Sequence, residues 1–328
     1  MAKLPTPQEL VASRPAFPAQ SWLDYKPKFA PGSFCYPAKV ETMEKLHMPH
    51  PHSWDPAAED WNLPEGWEKI FCDAFHDRLK KHRSLKVFMD ICVRCGACAD
   101  KCQFFLGTND PKNMPVLRVE LLRSLYRRDY TMLGKLLGKT IGARKLDYSV
   151  IKELFYYAYQ CTECRRCSLF CPYGIDTAEI TALVREMLHE LGLGIHWIMD
   201  PVKNCAFTGN HLGIKPHSYK EIVEMLADDC EYVTGIRPKT PFNERGHEIL
   251  FICPSGDVFA DPGIYTFMGY LILFNELDLD YTLSTYASEG GNFGSFVSFN
   301  MAKKLNAKMY EEAERLGVKW ILGGECGH

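Results

Sequence analysis

The most regular pattern of apolar residues lies near the middle of the chain, directly after Asp176. Apolar residues recur there with the spacing of one helix face, at Ile180, Leu183, Val184, Met187, Leu188 and Leu191. Asp176 suits the N-cap position, and Glu179 three residues later completes a pattern that resembles a capping box. Gly192 stands where a helix C-cap belongs. The pattern predicts an amphipathic helix between Asp176 and Gly192.

Near the C-terminal end the pattern changes to short apolar stretches with helical segments between them. Strands are predicted at Glu248–Cys253, Tyr281–Tyr286 and Val318–Leu322, and a buried helix at Ile264–Leu277. A second helix ends before Gly317 and carries one apolar face, formed by Leu305, Met309, Ala313 and Leu316. This order of strands and helices indicates a parallel α/β sheet. Three such strands rarely complete a domain, so we expect the natural protein to continue.

The remaining patterns divide the chain into four regions. Residues 1–66 contain more than half of the 20 prolines and many aromatic residues, which is typical of an extended arm. This arm packs either on its own chain or around a neighbouring subunit. The other predicted regions are a helical domain at 67–200, a linker region at 201–245 with one helix near Lys220–Ala227, and a partial α/β module at 246–328, which we expect to be truncated.

The composition is that of an ordinary soluble protein, with 328 residues, of which 46% are hydrophobic and 24% charged. A net charge of −3 and a pI near 6.4 do not indicate nucleic-acid binding. The longest apolar stretch, around Tyr265–Phe274, is shorter than the roughly 20 residues that a membrane-spanning helix needs. The N-terminus lacks a secretory or twin-arginine signal. We therefore expect a cytoplasmic protein that reaches a membrane only through partners.

Cysteine usage indicates metal chemistry. Fourteen cysteines are many for a cytoplasmic chain, in which disulfides are disfavoured. Eight of them form two runs with the spacing Cys-x2-Cys-x2-Cys-x3-Cys, namely Cys92, Cys95, Cys98 and Cys102, then Cys161, Cys164, Cys167 and Cys171. Three thiolates at this spacing can surround three iron corners of a cubane from one short loop. Two complete runs therefore predict two [4Fe–4S] clusters rather than zinc, which usually uses two separated CxxC knuckles.

The fourth cysteine of each run points away from the other three. In two-cluster ferredoxins that cysteine ligates the other cluster. On this pattern, the first cluster is held by Cys92, Cys95, Cys98 and Cys171, and the second by Cys161, Cys164, Cys167 and Cys102. The chain would then cross between the two sites and hold the clusters close enough for electron hopping.

A basic segment with an amphipathic pattern lies between the runs, from Val116 to Lys139. Its cations are Arg118, Arg123, Arg127, Arg128, Lys135 and Lys139, and the second run adds Arg165 and Arg166. Two interpretations remain open. The cations either compensate the negative charge of the clusters or form a docking face for an acidic partner.

The connection between Cys102 and Cys161 is much longer than in compact bacterial ferredoxins. A long helical insert of this kind resembles the α-helical ferredoxin domains of succinate dehydrogenase-type and heterodisulfide reductase-type electron carriers. Gln103 departs from the proline found in many runs, at a position that does not ligate iron. The expected fold class is α+β and multi-domain. An α-helical two-cluster ferredoxin domain is followed by a partial parallel α/β module, with an extended N-terminal arm.

Two isolated cysteines follow predicted strands. Cys253 follows the first strand and Cys326 the third, which places both at the carboxyl edge of the sheet, where α/β folds build sites. A helical two-cluster domain followed by such a module resembles the catalytic subunits of heterodisulfide reductases. Their modules carry Cys, then Cys-Cys-Gly, then Cys-x-x-Cys. In this chain Ser288 and Glu289 stand at the positions of the cysteine pair, so the resemblance implies a degenerate module.

The resemblance also implies roles for the remaining cysteines. Gly323 replaces one cysteine of the last motif, and Cys326 keeps the other. A third, catalytic cluster would be completed by a C-terminal region beyond residue 328, with Cys326 as the first candidate contributor and Cys253 as the second. Both could equally be buried thiols at strand ends. We expect the other scattered cysteines to be buried thiols, namely Cys35, Cys72, Cys205 and Cys230.

Within this family, the arm, the GIDTAEIT segment (174–181) and the GGECGH segment (323–328) look most like the K subunit of DsrMKJOP complexes. That resemblance implies a subunit on the inner face of the cell membrane, docked on a haem b membrane subunit and other subunits. It would exchange electrons with the quinone pool. Its substrate would be a disulfide or trisulfide carried by a small DsrC-like protein in dissimilatory sulfur metabolism.

A different class of function remains open. The chain could be an electron-transfer subunit only, partnered with a flavin-dependent, quinone-linked dehydrogenase of the glycolate, lactate or glycerol-3-phosphate type. Such a subunit would pass electrons without contacting the substrate. An intact Cys-Cys-Gly module in a continuation of the chain would favour the disulfide-reducing function instead.

Overall fold

The computed structural model describes residue 61, residues 63–289 and residues 292–323. These residues divide into two compact units, with the boundary between Ile195 and His196. The first unit is helical and contains both cysteine runs, and the second contains a small parallel sheet. Among the described residues, no helix is both long and apolar enough to cross a membrane. Cys35, Cys326 and most of the predicted N-terminal arm, namely residues 1–60 and residue 62, lie outside the described part of the chain.

The first unit is built from helices joined by short loops and 3₁₀ turns. Its helices are α1 (Trp67–Lys81), α2 (Arg83–Ile91), α3 (Gln103–Thr108), α4 (Pro115–Tyr130), α5 (Met132–Leu137), α6 (Tyr148–Tyr159), α7 (Arg166–Leu169) and α8 (Thr177–Glu190). Helix α8 packs against α1, α4 and α6, and α4 also packs against α6. The long connection between the two runs is therefore helical, as predicted.

Helix α4 is buried on all sides along most of its length, although the sequence from Val116 to Lys139 has an amphipathic and basic pattern. The basic segment is divided at Thr131 into α4 and α5. Arg123 is buried in α4 because it donates to Glu120 Oε2 at 2.9 Å and to the carbonyl oxygen of Met89 at 3.0 Å. Satisfied charges of this kind can be buried without a large penalty.

Helix α8 begins and ends where the sequence predicted. The Asp176 carboxylate accepts hydrogen bonds from the backbone N–H groups of Ala178 (2.9 Å) and Glu179 (3.2 Å), which confirms the N-cap. The Glu179 carboxylate accepts a hydrogen bond from Ser84 Oγ at 2.5 Å, so it also ties α8 to α2. Gly192 follows the helix with a φ of +79°, a value that favours glycine.

The second unit has helices on both faces of its sheet. Its elements are α9 (His196–Thr208), α10 (Pro216–Thr234), β1 (Ile249–Ile252), α11 (Ser255–Phe259), α12 (Gly263–Glu276), β2 (Tyr281–Leu283), α13 (Asn292–Ser295), α14 (Phe299–Leu316) and β3 (Trp320–Gly323). The strands are parallel in the order β2-β1-β3. This arrangement confirms the predicted sequence of strands and helices.

Alternate residues of β1 serve the two faces of the sheet, as strand geometry requires. Phe251 packs into a core with α10 and α12, where its ring lies 4.9 Å from that of Phe274. Leu250 and Ile252 face the other side and pack against Leu316 of α14. β1 is therefore the central, fully covered strand, and its carboxyl end leads directly to Cys253.

Two elements differ from the expectation. β2 ends at Leu283 rather than Tyr286, because Ser284 Oγ donates to Glu312 at 2.7 Å and accepts from the Tyr286 N–H at 3.0 Å. These bonds turn the backbone out of the sheet. The helix expected near Lys220–Ala227 extends over the whole of α10. Pro216 at its start and Gly235 at its end, with a φ of +76°, provide the boundaries.

Candidate iron–sulfur centres

The first five residues of each cysteine run share a backbone pattern, with left-handed residues at the same two positions. In the first run, Arg94 and Gly96 have φ values of +57° and +77°. In the second run, the equivalent positions are Glu163 and Arg165, with φ values of +54° and +59°. Positive φ is uncommon for residues other than glycine, and the same two positions adopt it in both runs. Each loop therefore curls so that its first three cysteines surround one space.

Each loop borders a cavity that also receives a cysteine from the other run. The first cavity, with an empty volume of about 440 Å³, is lined by Cys92, Cys95, Cys98 and Cys171. The second, of about 350 Å³, is lined by Cys102, Cys161, Cys164 and Cys167. Cys167 borders both cavities. Among the described residues, no three His, Cys, Asp or Glu side chains form a group that could hold a single ion.

The thiols of the two runs differ in their exposure to solvent. Cys95 and Cys164, the middle residue of each loop, are exposed, and the other six are partly buried. Burial raises the pKa of Cys98 to about 12 and also raises the pKa of Cys167. Buried thiols of this kind stay protonated until a metal ion replaces the proton. Backbone N–H groups already point at two sulfurs, from Val116 to Cys98 and from Glu163 to Cys161, the latter at 3.4 Å.

The cations around the first cavity share one carboxylate. Glu120 is fully buried and accepts hydrogen bonds from three guanidinium groups, those of Arg94 at 2.6 Å, Arg123 at 2.9 Å and Arg127. Arg123 also lines the cavity. This group of residues therefore carries a net positive charge beside the first cavity, which suits an anionic occupant.

The second cavity has its own cations. Lys101, Arg118 and Arg165 line its wall, and Arg185 forms an ion pair with Glu163 at 3.0 Å. Arg118 is buried, and its Nε has no hydrogen-bond partner in the described structure. A buried, unsatisfied donor beside four thiols fits a group with sulfur acceptors and negative charge. The donor sets and charges of both cavities thus fit [4Fe–4S] clusters.

The cations of the basic segment have different surroundings. Arg118 and Arg123 are buried beside the cavities, which favours charge compensation over docking for these two residues. Arg165 is largely exposed and pairs with Asp176 at 3.2 Å.

Gln103, the residue after the first run, donates from its Nε2 to Thr162 Oγ1 at 3.3 Å. This hydrogen bond joins the end of the first run to the second run.

The sheet edge of the second unit has a different chemistry. Cys253 is buried, which raises the pKa of its thiol, and its Sγ lies 4.0 Å from Asp257 Oδ2. Ser288 donates its hydroxyl to the carbonyl oxygen of Gly209 at 3.1 Å.

Among the four remaining scattered cysteines, Cys205 and Cys230 are buried as expected. Cys72 is only partly buried.

Glu289 is the centre of a hydrogen-bond network at this edge that the sequence did not predict. Its carboxylate accepts from Ser255 Oγ at 2.9 Å and from the Ser255 N–H at 3.2 Å. It also binds the His211 ring at 2.6 Å and accepts from the His211 backbone N–H. Ser255 and His211 lie 34 and 78 residues away in sequence. No local pattern could have linked them to Glu289.

Ser255, His211 and Glu289 do not form a nucleophilic triad. Ser255 Oγ and Glu289 Oε1 both contact the same ring atom, His211 Nδ1, at 2.7 Å and 2.6 Å. A triad needs the serine and the carboxylate on opposite ring nitrogens. The network instead holds together the loops that follow β1 and β2 and the turn between α9 and α10.

Residues 88–175 match the family model of the 4Fe-4S dicluster domain. The match covers both cysteine runs and the helices between them. The chain therefore carries two [4Fe–4S] clusters, as its cysteine spacing predicted. Because such clusters exchange one electron each, this class of domain is an electron carrier.

Curated relatives place this domain in a more specific context. The chain is 55% identical over 273 residues to the Hdr-like menaquinol oxidoreductase iron-sulfur subunit 2 of Archaeoglobus fulgidus, covering 82% of this chain and 49% of the relative. It is 54% identical over 278 residues to the Hdr-like menaquinol oxidoreductase iron-sulfur subunit of Archaeoglobus profundus, covering 84% and 50%. The chain thus spans about half the length of these relatives.

A more distant relative is a polypeptide of the dihydromethanophenazine:CoB--CoM heterodisulfide reductase of Methanosarcina barkeri. It is 29% identical over 107 residues, which are 32% of this chain and 25% of the relative. No solved structure matches the chain. Together, these relatives confirm the predicted resemblance to heterodisulfide reductase-like iron–sulfur proteins.

Proposed function

We propose that this chain is the electron-relaying part of a membrane-associated oxidoreductase complex. It passes single electrons between a quinone-linked haem b partner and a disulfide or trisulfide on a small DsrC-like protein, in dissimilatory sulfur metabolism. The observation that carries the proposal is the pair of adjacent cavities, each lined by three cysteines of one run and at least one of the other. A pair of one-electron sites suits a relay between a quinol, which gives up electrons singly, and a disulfide, which needs two.

The proposed ligands follow the cavity walls. Cys92, Cys95, Cys98 and Cys171 hold the first cluster, and Cys161, Cys164, Cys167 and Cys102 hold the second. Each loop supplies three thiolates from one side of its cavity, and the fourth arrives from the other run. Cys167 borders both cavities, which supports a short distance for electron exchange between clusters held there. The buried cations offset the negative charge that each cluster brings.

The printed names of the two Archaeoglobus relatives support the quinone end of the relay. An exposed apolar surface on α5 supports attachment to a membrane partner. Its four side chains are exposed by 49 to 81% and are Met132, Leu133, Leu136 and Leu137. Lys135 and Lys139 accompany them, and residues 131–146 contain no acidic side chain. We propose that this α5 surface contacts the haem b membrane subunit on the inner face of the membrane.

Glycine at position 134 holds the α5 surface in place. A Cβ on Gly134 would lie 1.8 Å from the carbonyl oxygen of Arg127, so only glycine allows α5 to pack this closely on the end of α4. Thr131 caps α5 by accepting the Gly134 N–H at 3.0 Å. The helix therefore keeps its apolar side chains directed away from the unit.

The disulfide end of the relay rests on the sheet edge of the second unit. We propose that Cys326 contributes to a third, catalytic cluster that is completed by a further region of the full-length protein. Cys253 is the second candidate, and its burial beside Asp257 supports a structural role just as well. The domain organisation proposed from the sequence, with a helical domain to residue 200 and an α/β module from residue 246, would place these cysteines in the substrate module.

One observation favours the alternative function, an electron-transfer subunit of a flavin-dependent dehydrogenase. At the position of the family's cysteine pair, the Glu289 carboxylate is occupied by hydrogen bonds within the protein. In the described residues this edge therefore offers no open set of thiol ligands. A chain of this kind could relay electrons without contacting a substrate.

The full-length complex with Cys326→Ala distinguishes the two functions. The assay is electron transfer from a quinol analogue to a disulfide-bearing protein partner, with cluster reduction followed in parallel. Cys230→Ala is the matched control, because Cys230 is a buried thiol of α10 in the same unit. Loss of disulfide reduction with both clusters still reducible supports the proposal. Wild-type turnover in Cys326→Ala would overturn the catalytic assignment and favour the alternative.

A further inference from the structure

Hydrogen bonds fix the Nη2 end of the Arg118 guanidinium, whereas its Nε has no hydrogen-bond partner in the described structure. Its Nη2 donates to the side-chain oxygen of Asn113 at 3.0 Å and to the Asn113 carbonyl oxygen at 3.3 Å. Asn113 is fixed in turn, because its Nδ2 donates to Gln160 at 2.7 Å and to Thr108 at 3.1 Å. The side chain is only 6% exposed, yet its Nε has no partner. The anchored end thus fixes the direction of an unused donor.

No carboxylate in the described structure pairs with Arg118, which distinguishes it from its neighbour on α4. Arg123 binds Glu120 and donates its Nε to the carbonyl oxygen of Met89 at 3.0 Å. A buried guanidinium without an anion is costly, since it loses hydration and gains no charge partner. Arg118 therefore needs an anionic hydrogen-bond acceptor that the polypeptide does not supply.

Two spaces border Arg118. One is a small void between α4, α6 and α8, whose polar neighbours Tyr157 and Thr181 already donate to Asp110 and to the Thr177 carbonyl oxygen. The other is the second cavity, with four thiols. The void is otherwise lined by apolar side chains and backbone, whereas the cavity fits an anionic group with sulfur acceptors. The cavity is therefore the better partner for the free Nε–H.

We infer that Arg118 is the counter-ion and hydrogen-bond donor of the cluster in the second cavity, and that it raises that cluster's reduction potential. This inference rests on the proposed assignment of the second cluster. Reduction adds one electron, and therefore one negative charge, without breaking a bond. A fixed positive charge and a directed N–H group stabilise the reduced form more than the oxidised form. Arg118 is thus a positioning residue that tunes the second site.

The test is a redox titration of the iron-loaded full chain, followed by electron paramagnetic resonance (EPR). Arg118→Gln removes both the charge and the Nε–H. We expect the ratio of reduced to oxidised second cluster at a given potential to fall at least tenfold, which is about 59 mV for a one-electron couple. Arg118→Lys keeps the charge but loses the directed donor, and should give a smaller shift of the same sign. The first cluster should stay within twofold of its wild-type ratio.

Arg128→Gln is the matched control, because it removes the same charge from the same helix and lines neither cavity. It should leave both ratios unchanged. Equal shifts of both clusters, no shift in Arg118→Gln, or a shift in Arg128→Gln as large as in Arg118→Gln would overturn the inference. A wild-type ratio of reduced to oxidised second cluster in Arg118→Lys would show that only the charge of residue 118 affects the potential. It would overturn the part of the inference that assigns a hydrogen bond from the Nε–H.

A measurement on the unmodified sequence covers the case in which these variants do not assemble. In the wild-type chain labelled with ¹⁵N-arginine, pulsed EPR of the reduced second cluster should detect hyperfine coupling to a guanidinium nitrogen. Arg165 also lines this cavity but is largely exposed and paired with Asp176. The coupling should therefore persist in labelled Arg165→Lys. Its absence from wild-type chains whose EPR spectrum shows the reduced second cluster would overturn the inference, whereas absence of that cluster's signal would contradict the proposed function instead.

Discussion

The cysteine runs of the first unit and the sheet edge of the second unit both gather chemically active side chains, in opposite ways. In the runs, eight thiols line two cavities, and few protein groups bind their sulfur atoms. At the sheet edge, Glu289 and Ser255 form hydrogen bonds with one another and with His211. The thiol-lined cavities of the runs leave room for a cofactor. At the sheet edge, the polar side chains use their hydrogen-bonding groups on one another.

The difference teaches how ligand positions are specified. In the runs, local backbone geometry is sufficient, because left-handed residues at matching positions curl both loops in the same way. At the sheet edge, residues from separate segments meet only after the strands have paired. The Glu289 carboxylate there accepts hydrogen bonds that join these loops. We interpret Glu289 as a structural tie of the sheet edge.

The largest expected effect distinguishes the cysteines of the two runs from Cys253 at the sheet edge. Cys164→Ser removes an exposed thiol of the second cavity, so the iron content should fall from about eight towards about four per chain. Cys253→Ser changes a buried thiol at the sheet edge and should leave the iron content at the wild-type value. Iron and acid-labile sulfide analysis of the purified chains checks both. Equal iron loss in the two variants would break the comparison.

The next effect concerns the structural role of Glu289. Glu289→Gln replaces one acceptor oxygen by an NH₂ group that faces the donors of Ser255 and His211. The free energy of unfolding of the second unit should fall by about 2 kcal/mol. Glu311→Gln, on the exposed face of α14, should have almost no effect. Denaturation followed by circular dichroism measures both, and unchanged stability in Glu289→Gln would show that the network is dispensable.

A smaller effect is expected at the α5 surface. Leu133→Glu places a charge on this surface, so association of the full-length protein with its membrane partner should weaken about tenfold, or about 1.4 kcal/mol. Val233→Glu, at an exposed apolar residue at the end of α10, serves as the control. Co-sedimentation with membranes measures the association. If both variants sediment like the wild type, the α5 surface is not the contact.

Much of this organisation was predictable because its signals are local. The spacing of the cysteines, the Asp176 cap and the alternation of strands and helices after residue 246 all reside in short segments. The burial of α4 was not predictable, because Glu120 draws in Arg94 from 26 residues away. A segment rich in arginine is typical of a solvent-exposed helix face. Here the arginines are buried because the carboxylate of Glu120 pairs with them.

The sheet edge shows the same limit more strongly. Glu289 is recognisable as a departure from a cysteine pair, but its partner His211 lies in a turn that carries no distinctive motif. α10 is longer than the helix expected near Lys220–Ala227, although Pro216 and Gly235 mark both of its ends. Those boundary signals are present in the sequence, whereas the pairing of Glu289 with His211 requires the tertiary structure.

The smallest effect concerns pH. Burial is the largest single effect on His247 and lowers its pKa, but the hydrogen bonds and negative charges of Asp280 and Glu244 together outweigh it, so the pKa is raised overall. The stabilisation is therefore complete below the unfolded pKa of about 6.5 and is lost as pH rises through the raised pKa of the folded state. The loss should be about half a kcal/mol, because the pair is partly exposed. In His247→Gln this part of the pH dependence of unfolding should disappear, and its persistence would assign it to another group.

The central claim is that the chain crosses between its two clusters, so that each run supplies three ligands to one cluster and one to the other. The most direct measurement is a crystal structure of the iron-loaded chain with anomalous scattering at the iron edge. We predict two [4Fe–4S] clusters, with Cys171 bound to the cluster of Cys92 and Cys102 bound to the cluster of Cys161. Finding Cys102 on the same cluster as Cys98 would contradict the account.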